Sequence, residues 1–213
     1  MVNETQPVGK ETERNLGQEI IDAVHEIQAG GGHRFQVAMP NKLKTESPMS
    51  TELLSPKLAA MDLEYFMRAA LQEAEAAGMA NELPIGAVVV IHGEIVSRGR
   101  AEHQLRQNQI RHAELNAILA GGPALWSDYE DAILFTTMEP CPMCLGAAVM
   151  ADIPHIVFAA HDAVVHSRTT VYTNPYIQRH IQTYCGGVLE TETQALIARF
   201  NPDLLQYTQT GKD

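Results

Sequence analysis

Two short stretches carry the residues whose types and spacing can do chemistry: His112-Ala113-Glu114 and, further on, Pro140-Cys141-Pro142-Met143-Cys144. One imidazole and two thiolates form the nitrogen–sulfur donor set that zinc takes in tetrahedral geometry. Three protein ligands leave the fourth position open, which is the mark of a catalytic rather than a structural zinc. Cys141 and Cys144 are three residues apart, so a helix starting there puts both on one face of its first turn. The positive end of that helix favours thiolate over thiol, and Pro140 and Pro142 suit a helix start. Glu114 lies two residues past His112, too close along the chain to share its ligating face but beside the site. A carboxylate next to a metal-activated water is placed for general acid and base work. Cys185 stands apart and reads as a small buried hydrophobe. Three cysteines, an odd number with one C-x-x-C pair, argue against a disulfide framework and for metal or redox use.

Several elements have to position these residues. "MDLEYFMRAALQEAEAAG" carries Leu63, Phe66, Met67, Ala70, Leu71 and Ala74 on one helical face, with Asp62 as N-cap and Gly78 as stop. "IGAVVVIHGEIVSRG" predicts two strands around a turn at His92-Gly93. A polar loop, "RAEHQLRQNQIR", leads to a helix opening at or near His112. "AILFTTM" predicts a strand, "CPMCLGAAVMAD" a helix whose first turn holds both cysteines, and "HIVFAA" another strand. "NPYIQRHIQTYC" predicts a helix, "GGVLE" a short strand and "ETQALIARFNPDLLQY" a final helix. Strands with helices between them imply a three-layer α/β domain around a central sheet. Residues 1–57 look different: Leu16, Ile20, Ala23, Val24 and Ile27 mark one amphipathic helix, followed by a linker with Pro40, Pro48 and Pro56. The predicted organisation is therefore an extension over 1–57 and a domain over 58–213.

Charge bears on the partner. The net charge is −11; residues 1–57 hold six basic and eight acidic side chains, residues 58–213 nine and eighteen, and no lysine falls between Lys57 and Lys212. Affinity for nucleic acid leans on cations that neutralise phosphates, so a small uncharged substrate is the expectation. The cluster Arg98, Arg100, Arg106 and Arg111 is the one footing for a polynucleotide. No run of eighteen apolar residues suggests a membrane span, and the N-terminus has no apolar stretch of a signal peptide, so a cytoplasmic protein is expected.

H-x-E followed by P-C-x-x-C is the signature of zinc nucleobase deaminases. On "LPIGAVVV", "HAELNAIL" and "LFTTMEPCPMCLGAAVMADIPHIVFAAHD", residues 60–206 resemble the cytidine/deoxycytidylate deaminase superfamily. The branch is that of bacterial tRNA adenosine deaminase, guanine deaminase and fungal-type cytosine deaminase. The resemblance implies an α/β/α sandwich with a five-stranded mixed sheet, and a homodimer. It implies Zn2+ held by His112, Cys141 and Cys144, with zinc-bound hydroxide attacking an amine-bearing ring carbon while Glu114 shuttles protons. Backbone groups near Ala113, Pro140 and Cys141 would hold the substrate or the attacking hydroxide. In this branch an asparagine that bonds the base stands eleven residues before the zinc histidine; here the position is Ala101, and a site loses discrimination with such a partner. Asn108 or Gln107 from the same loop are candidates to replace it, Arg111 to contact an anionic group, and His161 and Asp162 to line the rim. Tyr172, Tyr176 and Phe200 are candidate stacking rings, Trp126 reads as a packing anchor and His92 as a turn residue. The expected function is hydrolytic deamination of a free base, nucleoside or related amino-heterocycle. The alternatives are a tRNA (adenosine-to-inosine) or other polynucleotide deaminase, and a silent partner subunit, against which the intact Glu114 argues.

Overall fold

The computed structural model describes residues 55–212. The amphipathic helix and linker expected over 1–57 lie outside the described residues, save the last three positions. The first described element is one helical turn, Pro56–Ala59, capped by the Ser55 side chain, which accepts from the Leu58 N–H at 3.4 Å. Leu58 is fully buried.

In chain order follow α1 (Leu63–Met79), β1 (Gly86–Ile91), β2 (Glu94–Arg100), α2 (His103–Arg106), α3 (Ala113–Ala120), α4 (Gly122–Asp128) and β3 (Ile133–Met138). Then come α5 (Pro142–Met150), β4 (His155–Ala160), α6 (Ser167–Thr173), α7 (Pro175–His180), β5 (Thr183–Cys185), α8 (Glu190–Phe200) and α9 (Pro202–Thr210). The strands form one sheet in the order β2-β1-β3-β4-β5. β1 runs antiparallel to β2 and β3, while β3, β4 and β5 are parallel, so the sheet is mixed.

β1, β3 and β4 are buried along their whole length because helices cover both faces. Alternation sorts their side chains. Ala87, Val89 and Ile91 face Ala113, Ala117, Leu145 and Ala148 of α3 and α5. Val88 and Val90 face Phe66, Met67 and Ala70 of α1. The architecture is the three-layer α/β/α sandwich with a five-stranded mixed sheet.

Local differences from the sequence pattern have physical causes. The last helix is two, α8 and α9, because Asn201 leaves helical geometry (φ −151°) and caps α9 through a bond from the Leu204 N–H, with Pro202 at the first helical position. The fifth strand is Thr183–Cys185 rather than "GGVLE", because Thr183 and Tyr184 pair in register with His155 and Ile156 and are buried there. Trp126 is not a packing anchor: it is 89% exposed, while its neighbour Leu125 is the buried residue of α4.

Candidate metal centre and active site

Two helix starts meet at the site. His112 is the N-cap residue of α3 and Cys141 that of α5. Pro142 opens α5, and Cys144 sits in its first turn, fully buried. The position of α3 is set by backbone: a Cβ on Gly99 of β2 would lie 2.3 Å from the Ala113 carbonyl oxygen and from the Ala117 nitrogen. Only glycine allows that approach. The Asn116 side chain adds a bond to the Arg100 carbonyl at 2.8 Å, and Ser97 donates to the Ala117 carbonyl at 2.7 Å.

The ligating atoms of His112, Cys141 and Cys144 all lie within 4.8 Å of one another. Cys141 Sγ is 3.7 Å from His112 Nδ1. Bond lengths of about 2.0 Å to nitrogen and 2.3 Å to sulfur at tetrahedral angles ask for donors roughly 3.5 Å apart, so the three residues fit zinc. The electrostatics agree. Hydrogen bonding from the Cys144 thiol, and from His112, pulls the Cys141 thiol down to about 4. The bond to Cys141, with burial, pushes the Cys144 thiol up. The bond to Cys141 raises His112 above its ordinary value.

Glu114 is 3% exposed. Burial raises its carboxyl above the usual carboxylate value, and its side chain reaches the Cys144 thiol. It lines a cavity of about 190 Å³ together with Ala101, His103, His112, Ala113, Cys141 and Asp162. At Leu83, His103 and His112 this cavity meets a trough of about 620 Å³ lined by amides, among them Asn81, Gln104, Gln107, Asn108 and Asn201.

The remaining candidates are spread out. Asn108 lines the trough, its side chain accepting from the Ile110 N–H at 3.0 Å. Arg111 lines a different cleft, on the sheet edge, and donates to Asn116 at 3.0 Å. Pro140 is buried between β3 and α5. Asp162 lines the cavity and caps its own turn, accepting from Val164 and Val165 N–H groups at 2.8 and 3.2 Å. His161 instead pairs with Glu190 at 3.1 Å. Phe200 lines the trough, while Tyr172 and Tyr176 are exposed on α6 and α7. Cys185 is half-buried and does not join the metal cluster. His92 is a turn residue at φ 52°, paired with Asp128 and Asp131.

Two further residues shape the site. His103 stands at the junction of cavity and trough, its ring edge-on to His112 at 5.0 Å. Glu139 is buried and accepts from the Asp162 N–H at 3.2 Å, the Arg168 N–H at 3.2 Å and the Tyr184 hydroxyl at 3.1 Å. The available signal was a carboxylate directly before Pro140-Cys141, at the end of an apolar strand. Opposite, burial works against the Glu82 carboxylate, but the N–H groups of Gln104 and Leu105 outweigh it and hold its pKa below the ordinary value. That contact pins α2 to the loop after α1.

Residues 60–160 match the family described as the cytidine and deoxycytidylate deaminase zinc-binding region. The chain is similar to a tRNA-specific adenosine deaminase of Bacillus subtilis (strain 168): 37% identity over 145 residues, covering 66% of this chain and 89% of that protein. It is also similar to a solved structure from a study of A-to-I editing by tRNA:A34 deaminases at the wobble position of transfer RNA. That likeness has 32% identity and a TM-score of 0.56, and covers 62% of this chain and 98% of that one. A guanine deaminase from Nitrosomonas europaea shares the fold at 22% identity and a TM-score of 0.53, covering 65% and 84%.

Proposed function

The chain belongs to the cytidine and deoxycytidylate deaminase family of zinc-dependent hydrolases, and from that premise we propose that it deaminates an adenosine held in tRNA, working as a homodimer. The deaminase domain in this reading is residues 58–213. The observation that carries it is a small cavity at the metal ligands that adjoins a larger, amide-lined trough. A cavity of about 190 Å³ is below the range of drug-sized pockets and suits one flat base. The trough of about 620 Å³ beside it, rich in Asn and Gln, suits the flanking nucleotides of an unpaired loop. The Bacillus subtilis relative supports the same substrate, since its similarity runs along most of its own length. The chain's negative charge favours a free base or nucleoside, which is the second reading.

In this mechanism His112, Cys141 and Cys144 hold the zinc. The ion supplies Lewis acidity, which brings a water to reactivity near neutral pH. Glu114 takes a proton from the attacking water and delivers it to the ring nitrogen beside adenine C6. It then moves the remaining proton, from the hydroxyl now on C6, to the exocyclic amine; the C–N bond breaks, ammonia leaves and the oxygen becomes the carbonyl. Its burial suits the role, because raising the carboxyl above the usual carboxylate value makes it a stronger base toward the proton of the attacking water.

The experiment is to incubate the full chain, loaded with zinc, with unmodified tRNA and to measure inosine by nucleoside mass spectrometry. Inosine is expected with the wild type and a loss of about 10³-fold with Glu114→Gln at unchanged zinc content. Ammonia release from a free base or nucleoside, with no inosine in any tRNA, overturns the tRNA reading in favour of the second.

A further inference from the structure

The arginine cluster of the sequence is one cleft in the structure. Arg98 and Arg100 lie on β2, the edge strand of the sheet, on the face that meets α1; Arg106 ends α2, and Arg111 precedes α3. Together they line a cleft of about 410 Å³. Among the described residues only two carboxylates line it with them, Glu73 of α1 and Glu102. Four guanidiniums against two carboxylates leave an excess of two positive charges, on a chain whose net charge is −11. Half of the eight arginines between 58 and 213 are here.

Neighbours use only part of the donors of these arginines, Arg98 also donating to the Ala69 carbonyl at 3.4 Å. Arg98 and Arg100 both approach the single Glu73, at 3.7 and 4.0 Å. Those separations are ion pairs but too long for hydrogen bonds. Arg106 is bonded to Glu102 at 3.0 Å through Nε. Arg111 donates to a neutral amide, that of Asn116. The side chains of Arg98, Arg100 and Arg106 are 42%, 46% and 52% exposed. A planar guanidinium with donors to spare matches a phosphate bidentately.

The cleft also has the right neighbour. Residues 102–111 separate it from the trough. Glu102, Arg106 and Arg111 face the cleft, while His103, Gln104, Gln107, Asn108 and Gln109 face the trough. A strand that places one base in the catalytic cavity and its neighbours in the trough has only to cross this short segment to lay its backbone among the arginines.

We propose that this edge cleft binds the phosphodiester backbone of the RNA whose base enters the catalytic cavity. The proposal rests on the tRNA reading for its substrate, but not for its test. Binding is measured by fluorescence anisotropy across a salt series, using an anticodon stem-loop with adenosine at the wobble position and the same stem-loop with guanosine there. Combined Arg98→Gln and Arg106→Gln is expected to weaken binding of both RNAs about tenfold. It should also flatten the slope of log K against log salt by about 1.4, at about 0.7 per single-strand phosphate contact. Turnover at saturating RNA and zinc content stay at the wild-type level. Glu102→Gln, which uncovers Arg106, should tighten binding and steepen the slope, a gain that misfolding does not imitate. Unchanged affinity and slope in these variants, or no binding of either RNA by the wild type, overturns the cleft. Arginine-dependent binding without inosine formation overturns the tRNA deaminase reading and leaves the cleft standing.

Discussion

His103 is where the small cavity and the trough share a wall. Its Nδ1 is buried and has no hydrogen-bond partner among the described residues. A buried polar atom left unpaired costs about 1–3 kcal/mol, and a bound base edge is the partner the site can offer. Burial, with His112 beside it, holds the pKa of His103 below its usual value, so the ring is neutral near pH 7 and can donate or accept. His103→Ala is therefore expected to lower kcat/KM on tRNA about tenfold while zinc stays bound, and His103→Gln to recover most of it. Unchanged kcat/KM in His103→Ala removes the ring from substrate recognition. The residue was invisible in the sequence because it sits in a polar loop with no pattern around it. His112, Glu114, Cys141 and Cys144 were legible because each pair is local in the chain and lies at a helix start. Glu139 was not, because its donors come from Asp162, Arg168 and Tyr184, brought back by β4 and β5.

At the scale of elements, α3 matters most, since it carries Glu114 and begins at His112. It is seated on β2 through Gly99, with no side chain between the two backbones. Gly99→Val would force Ala113 and Ala117 outward. The expected cost is about 1–3 kcal/mol of stability, read by chemical denaturation. Activity per folded molecule should fall further, because the proton-transferring carboxylate moves relative to the α5 cysteines. A variant equally stable and equally active would show that the seat is not what places α3. Helices and central strands were readable from apolar periodicity and from the caps. The last third was harder. β5 is three residues long and recognisable only by its pairing with β4, and the α8–α9 break depends on the cap at Asn201.

At the scale of the molecule, the order of strands and helices indicated an α/β chain, and among the described residues no helix is long and apolar enough to cross a membrane. Charge alone pointed away from nucleic acid, because a net value averages over the surface and hides a local cleft such as the one beside β2. The layer that carries the metal ligands also exposes large apolar side chains: Trp126 at 89%, Met150 at 73% and Leu119 at 61%. Such residues on one layer suit a second copy of the chain. Sedimentation of the full chain should give the mass of a dimer, and Trp126→Asp with Met150→Asp should bring it to that of a monomer. A wild type that sediments as a monomer sinks the dimer.

The two larger of the three apolar clusters lie on opposite faces of the sheet and make unequal territories. The core on the α1 face contains neither the metal ligands nor Glu114, so an engineer can recompose Phe66, Met67, Val88 and Val90 for heat tolerance with the reaction out of reach. On the α3–α5 face Ala113, Ala117 and Leu145 pack within a turn or two of the metal ligands, and robustness gained there is at the expense of the chemistry.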